Sequence, residues 1–374
     1  MKRLVLAVLA LVLFLSFPAR ASQLAAQGSH ALYLDDRGSV WAWGSNHMGE
    51  SACASDEVCV PVPLRVFDSA AEIACGRQFS LALTGNGEAW LWGLVPAGML
   101  DNTEAQRAGQ PVRLDGGIAH IAACEGAAAL LTSAGTVRYF DSAAWRTAAS
   151  GAVSVALGMD FVLWTDGEGT AFLLEAGAEE SQARALMKNV KWVSASGQTA
   201  LLASEDGTLY ALGASGLEGR LGLDTDDWIE EPVPNGVSRA REGVCGVSCS
   251  GALTEDNELY MWGTLYSYYT AFSADGSILY AAADGTLIRY GKAPVKLFDS
   301  VRCAAAGDAF IVLETLDGTL LSWGSNDWGQ LGDGSVTRFE LVAGEDGEDE
   351  DADYEIQVTD YRQAVFPVSP VIGK

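Results

Sequence analysis

The sequence predicts an all-β fold, a closed ring of small antiparallel sheets, on three observations. A unit bounded by Gly recurs along the chain. Within each unit the apolar residues alternate with a period of two. Tight-turn residues interrupt most units near the middle.

The first unit, Gly28 to Gly44, reads GSHALYLDDRGSVWAWG, and the second runs from Gly76 to Gly93. Weaker copies open at Gly126 and Gly158. Others span Gly197 to Gly213, Gly246 to Gly263, a short one Gly276 to Gly291, and a last one Gly307 to Gly324. Trp43 and Trp323 each open a Trp-Gly-Ser-Asn sequence, which marks the first and last units as copies of one element.

The chemistry of a unit is local. Asn86-Gly87, Asp206-Gly207, Asp284-Gly285 and Asp317-Gly318 are hairpin-turn pairs, because such turns need the positive φ that Gly and Asn/Asp tolerate. Alternation puts Trp41 and Trp43 on one face of their strand, and Trp90 and Trp92 on one face of theirs. A sheet this small and apolar on both faces does not stand alone in water. It must stack on its neighbours, and radial stacking with closure makes a β-propeller. Helical repeats are excluded by the period of two. A parallel β-solenoid fits less well, having shorter rungs and fewer tight hairpins. Long outer loops are expected at Leu94–Val112 and Ala214–Val233.

The chain has 374 residues, 49% of them hydrophobic, which suffices for a large core. Its formal net charge is −26, and no Lys/Arg cluster offers a basic face, so nucleic acid is not an expected partner. Lys2 and Arg3, the apolar run Leu4 to Phe17, and Ala19-Arg20-Ala21 together read as an export signal with a cleavage site. Cleavage after Ala21 would remove three cations and no acid, taking −26 to −29. No later segment is long and apolar enough to cross a membrane. The organisation expected is therefore a signal peptide over 1–21, a propeller over 22–344, and over 345–374 an acidic C-terminal segment that is a candidate for closing the ring.

Among seven cysteines, Cys53 and Cys59 bracket a short polar loop at a spacing that permits a bridge without requiring one. Cys75, Cys124, Cys245 and Cys303 end apolar stretches and read as small core residues. Cys245 and Cys249 come nearest to a zinc-ligand pair, with no His close by, so neither metal nor cofactor is expected.

Gly-x-x-His-x-x-Ala-Leu, a Gly turn and Trp-Gly-x-Asn-x-x-Gly-Gln-Leu-Gly together resemble the regulator of chromosome condensation repeat family. Ser322 to Ser335 matches that pattern nearly residue for residue, and His30 stands at the family's His position. The resemblance runs from about Ser22 to Val342 and is uneven. Asp141 and Glu175 stand where a Gly belongs, and Asn257 occupies the turn of the sixth unit. The resemblance implies seven blades; the raw count of units is eight. Closure is expected to pair strands from the two ends of the chain, using YEIQVTDY at Tyr354–Tyr361 or the N-terminal Ser22–Gly28.

Catalytic sets are scarce. His30, His47 and His120 are the three histidines, and no nucleophile elbow or phosphate-binding loop appears. Asp349, Asp351, Asp353 and Asp360 are spaced partly as in a calcium loop, but Tyr354 replaces the turn Gly, so a solvated acidic loop is the expectation. Trp228 stands among acids, Tyr266, Tyr268 and Tyr269 follow a blade strand, and Trp328 lies in the last Trp-Gly loop. Aromatics in loops are what a protein-binding face uses. One branch of the resembling family exchanges nucleotide on a small GTPase and touches chromatin. The export signal and acidity here point instead to its secreted bacterial propellers. The expected function is a non-enzymatic, exported, protein-binding propeller, whose acidity would steer a basic partner. Carbohydrate binding at the cell surface and a hydrolase or lyase with a site in the central channel are the alternatives.

Overall fold

The computed structural model describes residues 22–374 apart from 54–56, 103, 217–218, 264–277, 282–286, 291, 337–338, 344–353, 359–365 and 369–374. It shows seven four-stranded antiparallel blades in a ring, a β-propeller. The innermost strands are Gln23–Gln27, Ala70–Cys75, Ile118–Cys124, Ala152–Leu157, Val190–Ser196, Ala240–Cys245 and Val301–Ala306. In blades 2 to 7 the innermost strand slips by one residue near its start, a repeated bulge that adds twist.

Apart from the short unit at Gly276, each Gly-bounded unit supplies only the second and third strands of a blade, as His30–Leu34 and Val40–Ser45 do in blade 1. The apolar run before the unit is the innermost strand. The outer strand carries no repeat pattern, because one side of it meets water. The supposed loop Leu94–Val112 contains part of the outer strand Gln106–Gly116, and Ala214–Val233 contains most of Trp228–Pro234.

The short seventh unit is not a blade. Its strands Ile278–Ala281 and Leu287–Tyr290 pair with each other as a two-stranded hairpin. They interrupt blade 6 between its third strand, Leu259–Gly263, and its outer strand, Val295–Phe298. Closure also differs from the expectation. Gln23–Gln27 is the innermost strand of blade 1, and the outer strand of blade 7 is Phe366–Val368, paired with Leu320–Gly324. Tyr354–Val358 pairs with Phe339–Ala343 outside the blade. The two ends of the chain thus complete different blades, and the ring closes by face-to-face packing. Ala31, Trp43, Phe310, Val312 and Leu331 share one buried cluster across that seam.

The turns use their glycines differently from the expectation. Gly87, Gly207 and Gly318 have φ of +83°, +83° and +86°, and each N–H returns to the carbonyl three residues back. The preceding Asn86, Asp206 and Asp317 are not left-handed. These are type I turns with a bulge Gly, and the Asp carboxylate instead accepts a backbone N–H, as Asp206 does from Thr208 at 3.0 Å. Asn257 fills the Gly position of blade 6 at φ +62°. Asp284-Gly285 lies outside the described residues.

Candidate functional site: the loop-bearing face

Because neighbouring strands are antiparallel, the turn from strand one to two and the connection from strand three to four leave a blade by the same end. The Trp-Gly loops therefore share one face of the ring. They also join the blades. The indole Nε1 of Trp43 in blade 1 donates to the Gln330 carbonyl in the blade 7 loop at 2.9 Å. Trp92 in blade 2 donates to the Glu50 carbonyl in the blade 1 loop at 2.8 Å, and Trp262 in blade 6 to the Arg220 carbonyl in the blade 5 loop at 2.8 Å. All three indoles are fully buried. Each loop thus latches the blade that follows it.

The loops are held from within. Asn46 Nδ2 reaches the Glu57 carbonyl at 2.8 Å, and Asn326 Nδ2 the Ser335 carbonyl at 3.0 Å. Met48 N–H donates to the buried Glu50 carboxylate, as Trp328 N–H does to the Gln330 amide oxygen. His30 Nε2 lies 2.9 Å from Ser80 Oγ, which itself donates to the Glu50 carbonyl. Burial of the imidazole pushes its pKa down to about 4, so it is neutral at pH 7. This agrees with the structural role read for His30.

Blades 3 and 4 lack the latch. Phe140 and Leu174 replace the Trp, and Asp141 and Glu175 follow in place of Gly. In blade 3 the donor comes from elsewhere. Trp145, on the outer strand, packs on Phe140 and donates its indole N–H to the Met99 carbonyl of the blade 2 loop at 3.0 Å.

On this face a cavity of 520 Å³ opens between blades 4 and 5, walled by Asp160, Glu175, Arg184, Trp228 and Glu231. Trp228 is 54% exposed, the most exposed of the large apolar side chains described. Arg184 holds Glu231 through Nη1 at 2.5 Å and the Glu230 carbonyl through Nη2 at 2.9 Å. Gln198 donates to Asp160 at 2.9 Å. Four acidic residues, Asp160, Glu175, Glu230 and Glu231, against one guanidinium leave the rim negative. Trp228 was read as a loop residue, but it begins an outer strand, whose polar alternation hides it from a repeat search. Trp328 is half-buried, edge-on to His47 with ring centroids 4.3 Å apart, so it is not a free aromatic. Tyr266, Tyr268 and Tyr269 lie outside the described residues. Sequence reasoning missed Asp160, Glu175 and Arg184, which blade 4 contributes. The broken Gly position at Glu175 was the one signal for them.

The central channel offers less. Its cavity of 240 Å³ is lined mainly by small and apolar residues such as Ala25, Ala74, Ala123 and Ala195. Glu242 is the one carboxylate among the described lining residues, and burial raises its pKa to about 7. The two-carboxylate arrangement of a glycosidase is not assembled there. Cys75, Cys124, Cys249 and Cys303 are buried free thiols. The acidic run 344–353 lies outside the described residues.

Residues 22–50 and 37–83 match the regulator of chromosome condensation (RCC1) repeat. The chain is 29% identical over 150 residues to the mouse (Mus musculus) regulator of chromosome condensation, covering 39% of this chain and 34% of that protein. It is 25% identical over 319 residues to the bovine (Bos taurus) secretion-regulating guanine nucleotide exchange factor, covering 83% of this chain and 53% of that one. It therefore spans about a third of one relative and half of the other. Among solved structures, Prp20p from Saccharomyces cerevisiae superposes with a TM-score of 0.50 at 19% identity, covering 93% of this chain and 76% of that one. The CRINKLY WD40 ectodomain of the Arabidopsis thaliana receptor kinase ACR4 gives 0.51 at 13% identity, covering 81% and 94%. At these identities the structural likeness speaks for the fold alone.

Proposed function

We propose that this protein, which belongs to the regulator of chromosome condensation repeat family, is an exported docking propeller that binds a basic protein through its loop-bearing face. The observation that carries the reading is Trp228, more than half exposed at the mouth of an acidic cavity. An indole face beside carboxylates suits a Lys or Arg side chain, a contact worth about 0.5–2 kcal/mol. The net charge of −26 adds long-range attraction for a cationic partner and speeds encounter. Relatives with nucleotide-exchange names are propellers of the same repeat. Here the strong negative charge and the export signal support an extracytoplasmic partner instead.

Affinity capture from the native environment tests the reading, using the wild-type protein beside Trp228→Ala. The account expects a basic protein captured by the wild type, weakened roughly tenfold by Trp228→Ala and weakened again by salt. Equal capture by both would remove Trp228 from the interface. Retention of glycans in place of protein, read on a glycan array, would transfer the site to carbohydrate. Export is checked by N-terminal sequencing of the native protein, expected to begin at Ser22.

A further inference from the structure

The seam between the last and first blades holds a buried carboxylate with incomplete pairing. Glu314, on the blade 7 strand Phe310–Thr315, is 4% exposed. It accepts hydrogen bonds from Ser22 Oγ and, at 3.3 Å, from the Tyr33 hydroxyl, both on the blade 1 side. The nearest cation is Arg302, whose Nε stands 3.5 Å away. That guanidinium is 40% exposed and donates to the Leu316 carbonyl at 2.7 Å. Arg302 Nε is itself buried but makes no hydrogen bond, and burying a carboxylate without a hydrogen-bonded cation costs several kcal/mol. Ser22 is itself buried, at 6% exposure, and it is the residue immediately after Ala19-Arg20-Ala21.

We propose that cleavage after Ala21 supplies the missing cation: the new α-ammonium of Ser22 pairs with Glu314 across the seam and fastens blade 1 to blade 7. Hydrolysis of the Ala21–Ser22 peptide bond consumes one water. The carboxylate leaves with Ala21, and the freed amine of Ser22 is protonated at neutral pH. In serine only two carbons separate the nitrogen from Oγ, so a residue whose Oγ bonds Glu314 brings its nitrogen within reach of the same carboxylate.

The neighbouring groups leave the ammonium a role. Tyr33 and Cys303, whose Sγ lies 3.6 Å from Glu314, are both held neutral by burial and by that carboxylate, which raise their pKa values. Asp35 and Glu242 lie further off and add negative charge, acting on Tyr33 and Cys303 respectively. Arg302 and Arg241 are the other cations, Arg241 lying 3.7 Å from Glu242. The processed terminus therefore enters a site with excess negative charge.

The inference rests on the export reading, and its test separates the two. The processed chain, beginning at Ser22, is compared with a chain that keeps Ala21, each with Glu314 and with Glu314→Gln. The α-amino pKa is read by NMR titration against its ordinary value of about 7.7–8.0. The Ser22 chain is expected at least one unit higher, about a tenfold smaller ratio of free amine to ammonium. Glu314→Gln should drop it below the ordinary value, because burial without a partner disfavours the cation. The chain that keeps Ala21 should stay ordinary and ignore the substitution. A raised amine pKa stabilises the fold below its unfolded value, and that stability is lost as pH rises through the folded value. The Ser22 chain should therefore lose thermal stability more steeply above pH 8 than Glu314→Gln. An ordinary or lowered α-amino pKa with Glu314 intact would overturn the proposal. If Glu314→Gln fails to fold, Nα-acetylation serves instead: it should destabilise the Ser22 chain and spare the Ala21 chain, and equal effects would overturn it. A native terminus other than Ser22 would refute the processing step. A missing coupling with a Ser22 terminus would refute the pairing and leave export standing.

Discussion

Blades 1 and 2 differ from blades 3 and 4 in how they hold their neighbours. In the first pair a buried indole crosses to a loop carbonyl of the preceding blade, and a left-handed Gly follows the Trp. In the second pair Phe140 and Leu174 occupy that position and the Gly is lost. The absence is coordinated. The connections after blades 3 and 4 lack the Gly-rich loop, and the next blades, 4 and 5, carry Leu174 and Leu212 where the latched blades carry Trp. The connection after blade 5 regains the loop, and blade 6 regains Trp262. Loop and Trp are thus two halves of one contact at the junctions into blades 1, 2, 4, 5 and 6, whereas at blade 3 the loop persists and Trp145 replaces the lost donor.

The sharpest way to break this comparison is at the Gly. A Cβ on Gly93 would lie 2.5 Å from the Gln78 carbonyl oxygen, at φ +98°. Gly93→Ala is expected to destabilise by about 2–4 kcal/mol in denaturant unfolding, through clash and strain together. Glu175→Ala, at the same position of blade 4, has no left-handed backbone and is expected within about 0.5 kcal/mol of wild type. Equal effects would mean that the Gly does not distinguish the blades.

Next in size is the latch itself. Trp92→Phe keeps an aromatic ring but removes the donor to the Glu50 carbonyl and leaves a void, so a loss of about 2–3 kcal/mol is expected by thermal or denaturant unfolding. Trp145→Phe removes the substitute donor to the Met99 carbonyl from a half-buried side chain, and about 1 kcal/mol is expected. If the two losses were the same, Trp145 would be a full equivalent of the latch.

The smallest effect at neutral pH concerns His30, which supports the Glu50 loop through Ser80. Its folded pKa of about 4 lies below the usual 6.5. The unfolded chain therefore binds the extra proton first, and stability falls as pH drops from 6.5 towards 4. The slope of stability against pH in that window should be shallower in His30→Gln than in wild type, measured by urea unfolding at each pH.

The latched blades are also the legible ones. Trp-Gly, the Gly-bounded hairpins and the period of two expose the second and third strands of each blade to a reader, because those strands are buried on both sides and obey one packing rule. Outer strands such as Gln106–Gly116 meet water on one side, so many sequences serve and none repeats. The unit from Gly276 satisfied the local pattern yet pairs as a lone hairpin, since local alternation makes a hairpin but only neighbours make a blade. Of the candidate site, Trp228 was visible as an aromatic among acids. Asp160, Glu175 and Arg184 were not, because another blade brings them there. Latches of 287 and 42 residues' separation are likewise beyond any local signal, although both partners lie in recognisable motifs.

Hydrogen exchange at the indole nitrogens tests the latch most directly. The account predicts that the Nε1–H groups of Trp43, Trp92 and Trp262 exchange only through opening of the ring, while that of the exposed Trp228 exchanges as a free indole does. Exchange of the three buried indoles as fast as Trp228 would contradict it.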